Sequence, residues 1–420
     1  MPDDDPAVQV ATAADWAGIH LLLRTAFHAL PDEAHAAAEG AVFEPERSLL
    51  VRSGEEVVAH AAAFTRELTV PGAVVPAAHV TMVAVASTHR RRGLLTRLMR
   101  HQLTQVHTAG REPIALLWAS EAPIYQRFGY GLAAQLLSME INTTGVRLVD
   151  APAGPPEAGT PAGSGVRLRV AGADACQAEL AQVYERLRAE RPGWSSRNGP
   201  WWRYVLGDFP SRQFGGTERR VLLAEGPAGP TGYAVWRTRS HWDERGPQGT
   251  VVLDELVAAD PTTYRELWRF LLGIDLTRTV SYGHGAVDEP LQHLVDEPRQ
   301  LGARLGHALW VRIVDVAGAL GARRYASDVD AVIEVTDPLL PANSGRWRLT
   351  VTGGAARCRR TGEPAELACD VRDLAAAYLG GPSLGALAAA GRVRELRPGV
   401  LAPTSAAFGW HRAPAGIEVF

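Results

Sequence analysis

The stretch that most constrains how this chain can fold runs from Val80 to Arg100, VTMVAVASTHRRRGLLTRLMR. Its opening, Val80-Thr81-Met82-Val83-Ala84-Val85, is a short run of β-branched and small apolar residues with the length of a buried strand. Its close, Gly93 to Arg100, sets Leu94, Leu95, Leu98 and Met99 at helical spacing with arginines between them. The join is Ser87-Thr88-His89-Arg90-Arg91-Arg92-Gly93, a basic turn that ends on glycine. A strand that passes through such a turn into a helix N-terminus is a phosphate-binding geometry. Free backbone N–H groups and the positive end of the helix dipole face outward, and glycine lets a ligand come close to the backbone. A solvated arginine cluster at the head of a surface helix has the same shape, so the turn alone leaves both readings open.

The spacing decides between them. Arg90-Arg91-Arg92-Gly93-Leu94-Leu95 resembles the R/Q-x-x-G-x-G/A pyrophosphate loop of the GNAT acetyltransferases, with Leu95 where the pattern has a small residue. Downstream, Tyr125-Gln126-Arg127-Phe128-Gly129-Tyr130-Gly131 resembles the Y-x-R-F-G-Y-G segment of one branch, the enhanced-intracellular-survival (Eis) N-acetyltransferases. The likeness reaches Phe420 and covers essentially the whole chain.

Composition agrees with an ordinary globular protein. At 420 residues the chain is long for one core, so two or three domains are expected. Hydrophobic residues make up 46% and charged residues 21%, and no apolar run has the ~18 residues of a membrane span. The acidic start Met1-Pro2-Asp3-Asp4-Asp5 is unlike a secretory signal. Cys176, Cys358 and Cys369 fall in no disulfide or metal spacing, which suits a reducing cytoplasm. A net charge of −3 gives no reason to expect a nucleic-acid partner. All 43 basic residues are arginine, so no lysine is present for the chain to acetylate on itself.

The periodicity reads as α/β with mixed sheets, arranged as two GNAT-like domains, the second degenerate, and then an α+β domain. Residues 1–148 form the first unit, with strands expected near Val8, Ser48, Val57, Val80 and Ile114, and a helix carrying Trp16, Ile19, Leu22, Leu23 and Phe27 behind an Asp15 cap. Residues 149–165 are rich in Pro, Gly and Ala and read as a linker. The alternation resumes over 166–310. There Leu256-Val257-Ala258-Ala259-Asp260-Pro261 stands where the first unit has its strand and loop, but with neither glycine nor an arginine triplet. From 311 to 420 the pattern changes to hairpin strands and short helices, a region that in the family resembles a sterol-carrier-protein fold.

Acetyl transfer to an amine needs a held thioester, oxyanion stabilisation, a proton for the departing thiolate and a neutral amine. The resemblance implies acetyl-CoA as co-substrate, with the backbone of Val83, Ala84 and Val85 serving its pantetheine arm. Arg90, Arg91, Arg92, Gly93, Leu94, Leu95 and Thr96 would serve its diphosphate, and Ser120 would lie beside them. It implies Tyr125 as general acid, its pKa lowered by Arg127 or nearby dipoles, and the terminal carboxylate of Phe420 as general base. Phe27, Trp194 and Glu418 are candidate substrate contacts. The implied acceptors are cationic amines, aminoglycosides foremost, with polyamines and protein lysines beside them; the implied assembly is a homohexamer. HExxH and CxxC are missing, which leaves metal chemistry without support. The competing reading is a protein that binds CoA or a lipid without turnover.

Overall fold

The computed structural model describes residues 7–149 and 165–420, so all of the expected linker except its end residues lies outside the described residues. Among the described residues the strands form two sheets of seven, one of five and a two-stranded ribbon. In the first sheet the strand order is Gln9–Val10, Ser48–Ser53, Glu56–Val70, Ala73–Val85, Ile114–Trp118, Leu309–Ile313, Gly131–Leu132. In the second it is Arg304–His307, Gln135–Asn142, Thr277–Gly285, Gly249–Ala258, Gly229–Arg239, Arg220–Gly226, Arg167–Gly172.

These orders run across the expected boundaries at 148 and 310. The strand Gln135–Asn142 belongs to the second sheet, and Leu309–Ile313 crosses back to complete the first, antiparallel to Ile114–Trp118. Each half therefore lends the other a strand, and the two cannot separate without exposing a buried ladder edge.

Both halves contain the same central device. Ala73–Val85 pairs antiparallel with Glu56–Val70 along its length, but its parallel pairing with Ile114–Trp118 covers only Ala77–His79. Beyond His79 the two strands splay, leaving one backbone edge of Val80–Val85 open. The register also slips opposite His60–Ala62, and Met82 takes a positive φ of 53° at that bulge. The buried His60 fixes this geometry, with Nδ1 2.8 Å from the Met82 carbonyl. Helix Leu94–Ala109 follows, its Leu98, Met99, Leu103 and Val106 buried on the sheet. Helix Trp16–Ala26 buries Ile19, Leu22 and Leu23, while Phe27 lies past its end and is 56% exposed. Asp15 stands at the N-cap of this helix as expected, but its carboxylate accepts from the backbone and hydroxyl of Thr12 rather than from the helix.

The third unit is a five-stranded sheet in the order Ala355–Arg360, Gly345–Thr352, Val329–Thr336, Leu367–Asp370, Val393–Glu395, covered by short helices such as Val316–Ala322 and Val371–Ala377. Its interior is filled by Tyr325, Trp347, Leu374, Tyr378 and Phe408, and its core is continuous with that of the first half. The last residues leave it as an extended tail that passes between the halves. At Gly416 a Cβ would stand 2.6 Å from the Trp118 ring, so only glycine fits that contact.

Candidate active site

Two cavities meet at the splay. The first, about 890 Å³, is lined by Val83, Val85, Arg90, Arg91, Gly93, Leu94 and Thr96, with Ser120, Ile124 and Arg127 across from them.

 Leu95 lines it too, from the first turn of helix Leu94–Ala109. Gly93 stands at the head of that helix with φ +80° and no side-chain cap, so the first N–H groups of the helix are left for a ligand. Arg91 also has a positive φ, 63°, which turns the loop back over the helix end. Arg90, Arg91 and Arg92 are exposed, and the first two line the cavity while Arg92 does not. Along the strand, Val83 and Val85 line the cavity, whereas the side chain of Ala84 is buried in the core on the opposite face. An uncapped helix start, a guanidinium pair and an open strand edge suit a ligand with a diphosphate at one end and an amide-bearing arm at the other. Acetyl-CoA is such a ligand.

The second cavity, about 680 Å³, shares Phe27 and Ser120 with the first. Val80, Thr81, Met82 and Trp118 come to it from the first half. Asp254, Glu255 and His284 come from the second half, and Glu418 and Phe420 from the tail. The ring of Phe420 meets the buried His79 edge-on, 4.7 Å between centroids, and His79 in turn has Nε2 2.7 Å from the Ser195 hydroxyl. Burial and then the Arg66 charge hold the His79 pKa well below its usual value, so this ring is a neutral support for Phe420.

The tail is anchored two residues before its end. Glu418 bridges Arg66 of the first half and Arg197 of the second, with Arg197 Nε at 2.6 Å. Arg197 also forks onto Glu255 at 3.0 and 2.7 Å. Its guanidinium lies 4.1 Å from the Tyr184 ring and 4.7 Å from Trp202. Burial raises the pKa of Glu418, but Arg197 and Arg66 outweigh it and hold the carboxyl below its ordinary value. Glu418 is thus already matched to two cations of the protein itself.

The other expected residues are placed differently. Tyr125 is buried against Tyr130, at 6.0 Å between rings, in a cluster with Phe128 and Trp310, and it lines neither cavity. Burial pushes its pKa up to about 12 rather than down, and Arg127 lies over Phe128 instead of beside the phenol. Trp194 stacks on Tyr184, 5.2 Å apart and 3° from parallel, and lies outside the second cavity. Its carbonyl accepts from the Thr69 N–H across the seam between the halves, a structural task.

Sequence reasoning missed the second half's share of the wall. Asp254 and Glu255 interrupt the otherwise apolar strand Gly249–Ala258, which was the available signal. The ladder to Gly229–Arg239 slips at Asp254, a bulge in the position that Met82 holds in the first half. His284 packs edge-on to Trp118, and burial lowers its pKa, leaving a neutral imidazole on the wall. No set of three or more His, Cys, Asp or Glu side chains able to hold a metal occurs among the described residues. No helix among them is long and apolar enough to cross a membrane.

Fold and site together define a GNAT-type N-acetyltransferase with a sterol-carrier-type third domain. Models of the acetyltransferase (GNAT) domain match residues 7–133 and 193–313, and the sterol carrier protein domain model matches 316–415. An uncharacterised N-acetyltransferase of Streptomyces avermitilis is 44% identical over 416 residues, 97% of this chain and 98% of that one. The N-acetyltransferase Eis of Mycobacterium bovis is 34% identical over 407 residues, 94% of this chain and 95% of that one. The crystal structure of Eis1 from Mycobacterium abscessus superposes with a TM-score of 0.81 at 31% identity, covering 99% of this chain and 100% of that one. The chain belongs to the Eis family of N-acetyltransferases.

Proposed function

We propose that this enzyme transfers the acetyl group of acetyl-CoA to a primary amine that enters the second cavity as a cation. The observation that carries this reading is the meeting of the two cavities at Phe27 and Ser120, with an uncapped helix start in one and Phe420 on the wall of the other. When bound, acetyl-CoA supplies an acyl group already activated as a thioester. Arg90, Arg91 and the first N–H groups after Gly93 hold its diphosphate. The open edge of Val83–Val85 orients the pantetheine arm, and a backbone N–H there polarises the acyl carbonyl.

The acceptor must lose a proton before its nitrogen can attack. The Phe420 carboxylate accepts that proton, directly or through one water, and pairs with the ammonium beforehand. Tyr125, with a pKa raised to about 12, keeps its proton throughout the working pH range. It is the proton donor to the departing sulfur that the Eis likeness brings forward, reached from the turn whose Ile124 and Arg127 line the first cavity. Because an ordinary thiol lies near ~8.5, complete transfer in advance would be uphill by about 5 kcal/mol, so the two events are coupled. Aminoglycosides, polyamines and lysine side chains are the acceptors that the Eis likeness brings forward.

CoA release with product masses, measured on the unmodified chain across those acceptors, tests the reaction. Two variants read the two roles. Tyr125→Phe and a two-residue extension after Phe420 are each expected to lower kcat by about 10²-fold or more while acetyl-CoA still binds. Full activity in the extended chain would remove the carboxylate from the mechanism, and full activity in Tyr125→Phe would remove the phenol.

A further inference from the structure

The end of the chain, Gly416 to Phe420, makes no backbone hydrogen bond among the described residues; the last such tie is the Ala415 N–H to the Pro192 carbonyl at 2.9 Å. Beyond it these residues are held by side chains. Ile417 packs with Tyr184 and Trp202 in the core of the second half, and the Phe420 ring meets His79. Between them Glu418 is 8% exposed, whereas Val419 is 56% exposed. In an extended segment residues two apart face one side, so Glu418 and Phe420 share the inner face. The Glu418 carboxylate is the polar tie of this chain end.

The two cations that receive it are fixed by partners other than the tail. Arg66, on strand Glu56–Val70, donates from Nε at 2.8 Å and Nη2 at 2.6 Å to the Ser196 carbonyl. Its guanidinium lies 4.1 Å from the Trp201 ring. Arg197 is held by the Glu255 fork and by the Tyr184 and Trp202 faces, and Glu255 in turn accepts from the Tyr233 hydroxyl. Together they make a preformed seat for one carboxylate, spanning the two halves. A buried ion pair of this kind adds little net stability, because desolvation offsets most of the attraction. What the seat does provide is a fixed position. From Glu418 two residues remain, a reach of about 7 Å at full extension. Seating Glu418 therefore confines the Phe420 carboxylate to one part of the second cavity, whose wall both residues share.

We propose that Glu418 is a positioning residue: seated between Arg66 and Arg197, it sets where the Phe420 carboxylate stands, so that the second half takes part in the reaction through Arg197 and Glu255. This rests on the proton-acceptor role given to that carboxylate above. A base fixed beforehand spares the reaction the entropy of gathering a loose chain end, and a displacement of about 1 Å can cost about 10²-fold in rate.

The test is a double-mutant cycle on the full chain between Glu418→Gln and the two-residue extension after Phe420. Glu418→Gln alone is expected to lower kcat by about tenfold or more, with the acetyl-CoA Kd from calorimetry within about twofold of the parent. In the extended chain, whose carboxylate is already displaced, the same substitution is expected to change kcat by less than about twofold. Equal losses in the parent and extended chains would overturn the positioning role, since Glu418 would then act independently of the carboxylate. Unchanged kcat in Glu418→Gln beside a damaged extended chain would also overturn it, while leaving the carboxylate as base. Full activity of the extended chain would remove both readings together. A second arm separates positioning from stability. Glu418→Gln leaves Arg66 without its acid, and adding Arg66→Gln rebalances the buried charge because Arg197 keeps Glu255. The double variant is expected to regain urea midpoint but not kcat. A kcat that recovered with the midpoint would reduce the seat to a structural part and overturn the proposal.

Discussion

The two GNAT halves share one plan, and only one of them keeps an open cleft at its helix start. In both, a bulged strand leads through a short loop to a helix, with a parallel neighbour on its far side. In the first half the helix begins at Gly93 with no side-chain cap, beside a cleft of about 890 Å³. In the second, helix Pro261–Leu272 is capped by Asp260, whose carboxylate accepts from the Thr263 N–H at 2.8 Å and the Thr263 hydroxyl at 2.7 Å. The corresponding space has shrunk to about 140 Å³, with Tyr264 on its wall bonded to Glu289 and the tail residues Ala415 and Ile417 along it. The second half has therefore closed its anion seat with its own carboxylate and given its cleft to the chain's own tail. Its bulge presents Asp254 and Glu255 to the neighbouring site.

The comparison breaks most sharply at Gly93. Gly93→Asp would put in the first half the carboxylate that closes the second. A Cβ there meets nothing within 4 Å, and aspartate tolerates a left-handed backbone better than most residues, so the fold should survive. The expected result is a loss of acetyl-CoA affinity of about 10²–10³-fold, from a phosphate contact replaced by like-charge repulsion. Calorimetric titration reads it directly, and affinity within a few-fold of the parent would mean that the diphosphate does not sit at this helix.

A smaller effect separates the two bulges. His60 holds the first one from a buried position, and burial lowers its pKa to about 4. An unfolded histidine titrates near ~6.5, so between those values the unfolded chain binds more protons and stability falls as pH falls. His60→Gln keeps a donor for the Met82 carbonyl and removes the titration. Between pH 7.5 and 5.5 the parent should lose about 1 kcal/mol more than this variant in urea unfolding. Parallel curves would mean that His60 is not the neutral clamp of the bulge.

Much of this plan was written in local sequence. The strand, the turn and the helix from Val80 to Arg100 follow from side-chain period and one glycine, and the degeneracy of the second half from the missing glycine and arginines. What local pattern does not carry is partnership at long range. Nothing near Gln135 says that its strand will cross to the second sheet, since an apolar alternation fits either. Trp194 looked like a ring free for a ligand, and Tyr184, ten residues earlier in the chain, takes its face. Glu418 looked like a carboxylate waiting for a cation, and its cations are Arg66 and Arg197, far away in sequence.

The finest test of the comparison is Asp260→Ala, because it asks which of two barriers keeps the cofactor out of the second half. Losing the cap leaves the Thr263 N–H without its acceptor and should cost about 1 kcal/mol of stability. It should not create a second cofactor site. Pro261 supplies no N–H at the first helical position, no arginine replaces Arg90 and Arg91, and Ile417 and Ala415 still line the narrowed cleft. Calorimetry is therefore expected to show unchanged CoA stoichiometry beside a lowered unfolding midpoint. An additional CoA bound per chain would mean that Asp260 alone was the barrier, and that the tail fills the second cleft without closing it.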